Sequence, residues 1–189
     1  MNFQMMLRNN PYRLFFPLAI FSGLIGVGHW ALWTMGFSIP DVKNMHLVLQ
    51  SQGFLAFVAI GFLFTAFPRF SGTQPPSLAE LLVGLVAALV FLVAVSCRYW
   101  LVAHIASLVS ILLLPFFALR RIKRRTKDIP ASFVLLAAGL IHFMTGVVLS
   151  LWTDMGSHHE TLYLAGPDDF FKLRPKNDFR KFVKQSVGI

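Results

Sequence analysis

Cysteine and acidic residues are scarce in this sequence, and each shortage excludes a class of chemistry. Cys97 is the one cysteine, which excludes an internal disulfide, a CxxC redox pair and a CxxCH attachment site for haem. Among the first 152 residues the only acids are Asp41, Glu80 and Asp128, which argues against hydrolytic acid–base chemistry. Glycine-rich phosphate loops, nucleophile elbows and paired carboxylates are missing as well. Any metal or haem group would therefore depend on other ligands, and histidine is available.

Charged residues are also few, at 13% of the chain, whereas 56% of the residues are hydrophobic and the mean hydropathy is +0.66. A helix needs about 20 apolar residues to cross a bilayer core. Five runs approach that length: residues 13–36, 46–67, 78–96, 100–119 and 131–152. Backbone polar groups in lipid must be hydrogen-bonded within their own segment, so helices are favoured over strands. The sequence predicts an all-α fold, a polytopic membrane helix bundle formed by residues 1–152.

Basic residues outnumber acidic ones by 17 to 8. One cluster lies between the fourth and fifth runs: Arg120, Arg121, Lys123, Arg124, Arg125 and Lys127. Such a cluster in a short loop is typical of the cytoplasmic side of a membrane, and we prefer this interpretation to a nucleic-acid patch. It puts the N-terminus in the cytoplasm. The four tryptophans then fall near the outer face, as an aromatic belt would: Trp30, Trp33, Trp100 and Trp152.

Residues 153–189 form a polar tail of mixed charge that ends in RPKNDFRKFVKQSVGI. Its apolar residues share one helical stripe: Phe179, Phe182, Val183 and Val187. A short interfacial helix and partial disorder are both open for this segment. His158 and His159 are adjacent in the tail, and we interpret them as a surface pair rather than as metal ligands. An odd number of spans puts the basic tail outside, against the positive-inside pattern.

Four of the six histidines lie on four different predicted helices, in the half of the membrane nearest the tryptophans: His29, His46, His104 and His142. Ionisable residues inside a membrane are costly, so they usually face the bundle interior and mark a functional site. A single histidine near a helix end is more often an interfacial hydrogen-bonding residue. Four at overlapping depth predict a haem or metal role for at least two of them. The predicted metal ligands are His46, His104 and His142, with His29 as a further cofactor-binding residue.

Polar and small residues accompany these histidines. His46, Gln50 and Gly53 share one helical face at steps of four and three, and we assign Gln50 and Gly53 to the same cofactor site. Gly139 and Gly146 flank the histidine of the fifth run at three before and four after. A glycine on the same helical face as a ligating histidine leaves room for a flat macrocycle or for another helix. A cofactor cradle and plain helix packing therefore both stay open.

Other residues favour structural roles. Ser77 and Glu80 have the spacing of a capping box and predict the start of the third helix. A proton-donor role for Glu80 is the alternative. Pro17 and Pro115 lie near helix ends, where they should kink or cap a helix.

Two stretches of the sequence resemble a known family at matching spacing. Residues 61–72, GFLFTAFPRFSG, look like the GFLLTAxPxWTG signature of the NnrS family, haem- and copper-containing membrane proteins of the bacterial response to nitric oxide. The family also has a His-x-His-Glu element followed by a glycine, and its spacing falls on His46 and Gly53. Residues 11–16, PYRLFF, look like the family's PFRLFF start. The resemblance covers residues 1–150 and implies haem, copper and the inner membrane of a bacterium.

The sequence departs from the family pattern at its second histidine and its glutamate. Val48 and Leu49 stand at those positions, with Gln50 and Gln52 as partial substitutes. A haem axial ligand needs one histidine, whereas copper usually takes several nitrogen donors, so the departure counts against copper more than against haem. Family members are typically much longer, and the chain corresponds to their N-terminal half. We expect either a half-length form or a truncated one.

Three functions remain open. The resemblance implies an integral membrane haem protein that takes part in the response to nitric oxide or in its tolerance. Its expected partners are the lipid bilayer and nitric oxide or another small diatomic ligand, with no nucleic acid. Two histidines on one iron would instead favour a cytochrome-b-like electron carrier. The third function is a channel or assembly subunit without metal, which associates with itself or with another membrane subunit. Whether any of these includes catalysis stays open.

Overall fold

A computed structural model of the chain describes the backbone of residues 3–164 and the side chains of residues 4–155. The chain forms two compact units, Met1–Asp154 and Met155–Ile189. The apolar stripe predicted within residues 179–187 lies outside the described residues. The backbone at His158 and His159 is helical, but their side chains are not among those described.

The described chain is helical throughout, with short connections. Its elements are α1 (Phe3–Asn9), α2 (Tyr12–Thr34), α3 (Val42–Val48), a π-helical segment (Leu49–Leu55), α4 (Ala56–Ser71), α5 (Leu78–Ser96), α6 (Trp100–Ile122) and α7 (Ser132–Leu164). Five helices are long and apolar enough to cross a membrane: Tyr12–Thr34, Val42–Ser71, Leu78–Ser96, Trp100–Ile122 and Ser132–Met155. The predicted all-α fold with five membrane-spanning helices is confirmed.

The second span, Val42–Ser71, is longer than its apolar run because α3, the π-helical segment and α4 form one continuous helix. Pro68 and Arg69, which follow the predicted run of residues 46–67, lie inside α4. The helix ends where Gly72 adopts a left-handed conformation with φ of 67°, which glycine reaches without steric cost. Pro17 and Pro115 likewise lie inside α2 and α6 rather than at their ends.

The predicted capping box at the start of α5 is confirmed. The Ser77 hydroxyl accepts from the Glu80 backbone N–H at 3.2 Å, and the Ser77 N–H donates to the Glu80 carboxylate at 2.7 Å. The same carboxylate receives two hydrogen bonds from the Arg121 guanidinium, at 3.1 and 3.0 Å. Glu80 is therefore held by a helix cap and an ion pair that joins α5 to α6.

Phenylalanine rings fill the centre of the bundle. Phe15, Phe57, Phe64, Phe91 and Phe117 are completely or almost completely buried. The ring of Phe64 lies 6.0 Å from that of Phe15 and 4.6 Å from that of Phe117, so these rings join α2, α4 and α6. Aromatic pairs at such distances add to the stabilisation that burial provides.

Helix α7 is packed more loosely than the others. Val147 is the only fully buried side chain among its described residues. Near its start, Phe133 packs against Phe67 and Phe70 with ring centroids 5.7 Å apart in each pair. Most of its remaining side chains, including Leu135 and Trp152, are exposed. The outer face of α7 is therefore available to lipid or to another protein.

Candidate functional site

Helix α2 and the second span are joined by polar contacts at the end of the bundle that carries Trp30. The His46 ring nitrogen Nδ1 lies 3.0 Å from the Gly26 carbonyl oxygen, and the Gln50 side-chain amide donates to the Gly23 carbonyl at 2.9 Å. The Trp30 ring packs on His46 with centroids 5.1 Å apart. Both contacts point from the second span to α2, so the predicted shared face of His46 and Gln50 is confirmed.

Glycines in this region allow the two helices to approach each other. A Cβ on Gly53 would overlap the Ser22 hydroxyl, and a Cβ on Gly26 would lie 2.9 Å from the Gln50 amide nitrogen. Ser22 itself is buried and donates to the Leu49 carbonyl at 2.9 Å, where the π-helical segment begins. The space beside Gly26 and Gly53 is thus filled by protein. At these two positions helix packing, rather than a cradle for a macrocycle, explains the glycine.

The partner of His46 determines which of its ring nitrogens is free to coordinate. A backbone carbonyl only accepts a hydrogen bond, so His46 Nδ1 carries the proton and donates it to Gly26. The other nitrogen, Nε2, then carries no proton, and its lone pair is available to coordinate a metal. Imidazole ligands of metals are commonly oriented in this way, by a hydrogen bond from one ring nitrogen to a carbonyl group.

His29 and His142 have the same kind of partner within their own helices. Nδ1 of His29 lies 2.8 Å from the Ile25 carbonyl, and Nδ1 of His142 lies 2.8 Å from the Ala138 carbonyl. His142 is exposed on α7, and nothing lies within 4 Å of a Cβ built on Gly139 or Gly146. This face of α7 points away from the other described helices, so His142 does not meet His46 or His104 inside the bundle.

His104 differs because both of its ring nitrogens are occupied by side chains. It is 2% exposed on α6, with Nδ1 2.8 Å from the Gln52 side-chain oxygen and Nε2 3.1 Å from an Asp154 carboxylate oxygen. These three residues come from three different spans. We call Gln52, His104 and Asp154 the polar triad.

The partners of His104 also fix where its protons lie. The Gln52 oxygen only accepts, so Nδ1 of His104 carries a hydrogen. Nε2 faces the Asp154 carboxylate at 3.1 Å, and such a partner lowers the cost of burying the two groups. To coordinate a metal, His104 would have to give up Gln52 or Asp154.

Two buried serines continue the polar side of α6 beyond the triad. Ser107 and Ser110 follow His104 at three and six residues, and both are 0% exposed. Their hydroxyl groups have no hydrogen-bond partner within residues 4–155. Buried hydroxyl groups usually form hydrogen bonds with protein or water. The interior of the bundle beside His104 therefore has two hydroxyl groups that can accept or donate further hydrogen bonds.

The described residues do not bring the predicted metal ligands together. No group of three or more His, Cys, Asp or Glu side chains that could hold a metal ion occurs in the part of the chain that the structure describes. Three cavities of about 450, 490 and 300 Å³ have no histidine in their lining. A site with one histidine ligand is compatible with this arrangement, whereas a copper site with several is not assembled here.

Asp154 is the triad residue that was not predicted from the sequence, and Gln52 was predicted only as a substitute ligand. Asp154 follows Trp152 by two residues, and His104 follows Trp100 by four. Because tryptophans mark the membrane interface, this spacing was a signal that both groups lie at similar depth. The pairing of helices that brings them into contact has no comparable signal in one sequence.

The fold and these contacts define a polytopic helical membrane protein with polar groups buried among its spans. Residues 6–166 match the family described as NnrS protein. The chain therefore belongs to the NnrS family, and it is a multi-pass membrane protein. No curated protein and no solved structure matches the chain.

Proposed function

We propose that this chain is a haem-binding membrane protein that acts in the response to nitric oxide or in its tolerance, with His46 as an axial ligand. Membership of the NnrS family supports the proposal, because the family resemblance implies haem and nitric oxide. The inner membrane of a bacterium, with the N-terminus in the cytoplasm, belongs to the same proposal. Ferrous haem, when bound, supplies an iron that can take up a small diatomic molecule.

The state of the His46 ring is the observation that carries the assignment. Its Nδ1 is held by the Gly26 carbonyl of a neighbouring helix, so the ring orientation is set by tertiary structure and Nε2 stays available. His29 and His142 are tied only to their own helices. His104 has no available nitrogen while the polar triad is intact. His46 is also the histidine on which the family pattern falls.

Copper is not part of the proposal. Val48 and Leu49 stand where the family pattern has a histidine and a glutamate, and they are 4% and 2% exposed within the apolar core. Side chains at these two positions point into the bundle. A buried pair of metal ligands is thus replaced here by apolar packing, and the nitrogen donors among residues 4–155 do not converge.

Absorption spectroscopy of the purified chain of 189 residues tests the proposal. We expect a Soret band that is largely lost in His46→Ala, because the variant has no imidazole at this position. Added free imidazole should restore much of the band, since the ligand is replaced while the protein stays folded. Helix content by circular dichroism checks that the variant keeps its fold.

His142→Ala is the matched control, because His142 also has an available Nε2 but lies on the exposed face of α7. It should keep the Soret band. A Soret band that depends on His142 and not on His46 would contradict the ligand assignment. A wild-type protein that stays colourless after incubation with haem would contradict haem binding itself. Nitric oxide should shift the spectrum of the reduced protein, whereas an electron carrier with two axial histidines would resist that shift.

One observation favours the alternative of an assembly subunit without metal. The face of α7 that carries Gly139, His142 and Gly146 is exposed and has no neighbour among the described helices. Small residues on a membrane helix allow another helix to approach closely. In that case His142→Ala would change the oligomeric state and leave a colourless protein otherwise unaltered.

A further inference from the structure

A narrow apolar groove lies between α4, α6 and the first half of α7. It has a volume of about 300 Å³, at the lower end of the range for ligand pockets. All of its lining residues are apolar, with Phe67 on α4, Leu114 and Ile122 on α6, and Leu136 and Met144 on α7 among them. The groove is open on one side, because α7 packs loosely against the bundle.

The groove has the length of a lipid chain in one leaflet. Leu114 and Ile122 are eight residues apart on α6, which is about 12 Å at the rise of an α-helix. Half of a bilayer's hydrocarbon core is about 15 Å. The groove therefore begins at the membrane surface beside Ile122 and runs toward the middle of the bilayer.

Basic residues surround the surface end of the groove. The loop that follows Ile122 and ends at Ile129 carries Lys123, Arg124, Arg125 and Lys127, all of them exposed. Arg120 is exposed one turn earlier and stacks on Phe116 at 5.3 Å. Asp128 is the single acid in this loop. These five cations, which we call the loop cations, have no ion-pair partner among residues 4–155.

The loop cations are held next to the groove by hydrogen bonds from Thr126. Thr126 N–H donates to the Ser71 carbonyl at 3.0 Å, and the Thr126 hydroxyl donates to the Gly72 carbonyl at 3.1 Å. The loop is thus fastened to the end of α4, whose Phe67 lines the groove. The neighbouring Arg121 is not free to join the loop cations, because Glu80 binds it through both carboxylate oxygens.

We propose that the groove and the loop cations together bind one anionic phospholipid. One acyl chain lies in the groove between α6 and α7, and the phosphate group contacts the loop cations at its mouth. The charge complementarity identifies the occupant, since a neutral lipid or a detergent would use the groove but not the cations. Clusters of basic residues at the end of a membrane helix attract anionic lipids by about 1 kcal/mol per residue. This site is separate from His46 and from the polar triad.

Lipid binding to the chain of 189 residues tests the inference. The protein is exchanged into nanodiscs of phosphatidylcholine alone or with one-fifth phosphatidylglycerol, and bound lipid is identified after gentle extraction by native mass spectrometry. We expect one phosphatidylglycerol to be retained. A variant that combines Lys123→Gln, Arg124→Gln and Arg125→Gln should lower its binding by about tenfold or more. Leu136→Trp should lower it similarly, because the indole fills the groove without changing charge.

Matched controls separate this site from general attraction. Lys43→Gln combined with Arg98→Gln removes charge at the opposite end of the bundle, and Val86→Trp fills a different apolar depression, between α5 and α6. Both should keep the bound lipid. The inference is overturned if the opposite-end variant weakens binding as much as the loop variant, or if Leu136→Trp leaves it unchanged. Phosphatidylcholine retained equally well, or a dimer that Leu136→Trp dissociates, would also overturn it.

Discussion

At the scale of single residues, the histidines within the spans differ in what their ring nitrogens contact. His46, His29 and His142 each give Nδ1 to a backbone carbonyl and keep Nε2, whereas His104 uses both nitrogens on side chains. A histidine with one ring nitrogen hydrogen-bonded can coordinate a metal through the other nitrogen. A histidine with both nitrogens hydrogen-bonded has a structural role. Residue type and depth alone could not distinguish these two roles.

Gly53 provides a test of the close contact between α2 and the second span. Gly53→Ala should lower the free energy of unfolding by about 1–3 kcal/mol, because the new methyl group overlaps Ser22 and approaches Phe91. The measurement is the midpoint of thermal unfolding in detergent. Ser22→Ala in the same chain should recover part of the loss, since the overlapping oxygen is removed.

Gly28→Ala is the control for that substitution. Nothing lies within 4 Å of a Cβ at Gly28, so this change should be neutral or stabilise α2 by up to about 1 kcal/mol. Equal losses in the two variants would contradict the packing explanation of Gly53.

Arg121 provides a second test at this scale. Arg121→Gln should lower the free energy of unfolding by about 3 kcal/mol, because the partly buried Glu80 carboxylate loses its cation. Arg121→Lys should recover little, since an ammonium group cannot reproduce both hydrogen bonds to Glu80, the bond to the Gln74 carbonyl and the stacking on Phe117 at 3.8 Å.

Stability against sodium dodecyl sulfate, followed by tryptophan fluorescence, measures these losses. Arg120→Gln is the matched control. Among the described residues, the exposed Arg120 side chain contacts the Phe116 ring and forms no ion pair. It should cost less than about 1 kcal/mol. A loss as large as that of Arg121→Gln would show that general charge in the loop, rather than the Glu80 ion pair, stabilises this end of the bundle.

At the scale of elements, the second span presents polar side chains to two different neighbouring helices. Gln52 follows His46 by six residues, which is about 240° around an ideal helix. His46 and Gln50 therefore contact α2, while Gln52 contacts His104 on α6. π-helical turns are frequent at functional sites, and here the π-helical segment contains Gln52 of the polar triad and begins three residues after the proposed haem ligand.

Among its described side chains, α7 contacts the bundle near its start and again at Asp154. Phe133 packs against α4, and Asp154 contacts His104 on α6. Val147 and Asp154 are seven residues apart, so they share one face of the helix. This arrangement makes the polar triad the main described polar contact between α7 and the bundle.

Asp154→Ala should loosen residues 144–154 of α7. We expect amide hydrogen exchange in residues 144–154 to rise by about tenfold or more, because His104 loses its charged or hydrogen-bonding partner on this helix. Asp154→Asn should have a smaller effect, since an amide can still accept or donate a hydrogen bond.

Thr153→Ala is the control for this experiment. The Thr153 hydroxyl donates to the Ser150 carbonyl within α7, so its removal should leave the exchange rates close to those of the wild type. An increase in Thr153→Ala equal to that in Asp154→Ala would mean that the triad does not fasten the helix.

At the scale of the whole molecule, the number of spans and the family could be predicted, whereas the candidate site could be predicted only in part. The shared face of His46 and Gln50 followed from helical periodicity. Beside Gly53 the choice between a cofactor and another helix could not be made from the sequence, because the neighbour there, Ser22, lies on another helix. Asp154 was missed because its partner is fifty residues away in the chain.

The sequence by itself determined the class of fold, the spans and the family. A bilayer has a fixed thickness and no water to satisfy an open backbone, so the lengths of apolar runs set the helices, and the motif at residues 61–72 is contiguous. Only the tertiary structure decided which ring nitrogens are free, which glycines contact another helix, and how an apolar groove comes to lie beside the loop cations. Each of these depends on side chains from different spans, and the distances between them are set by helix packing rather than by local order in the chain.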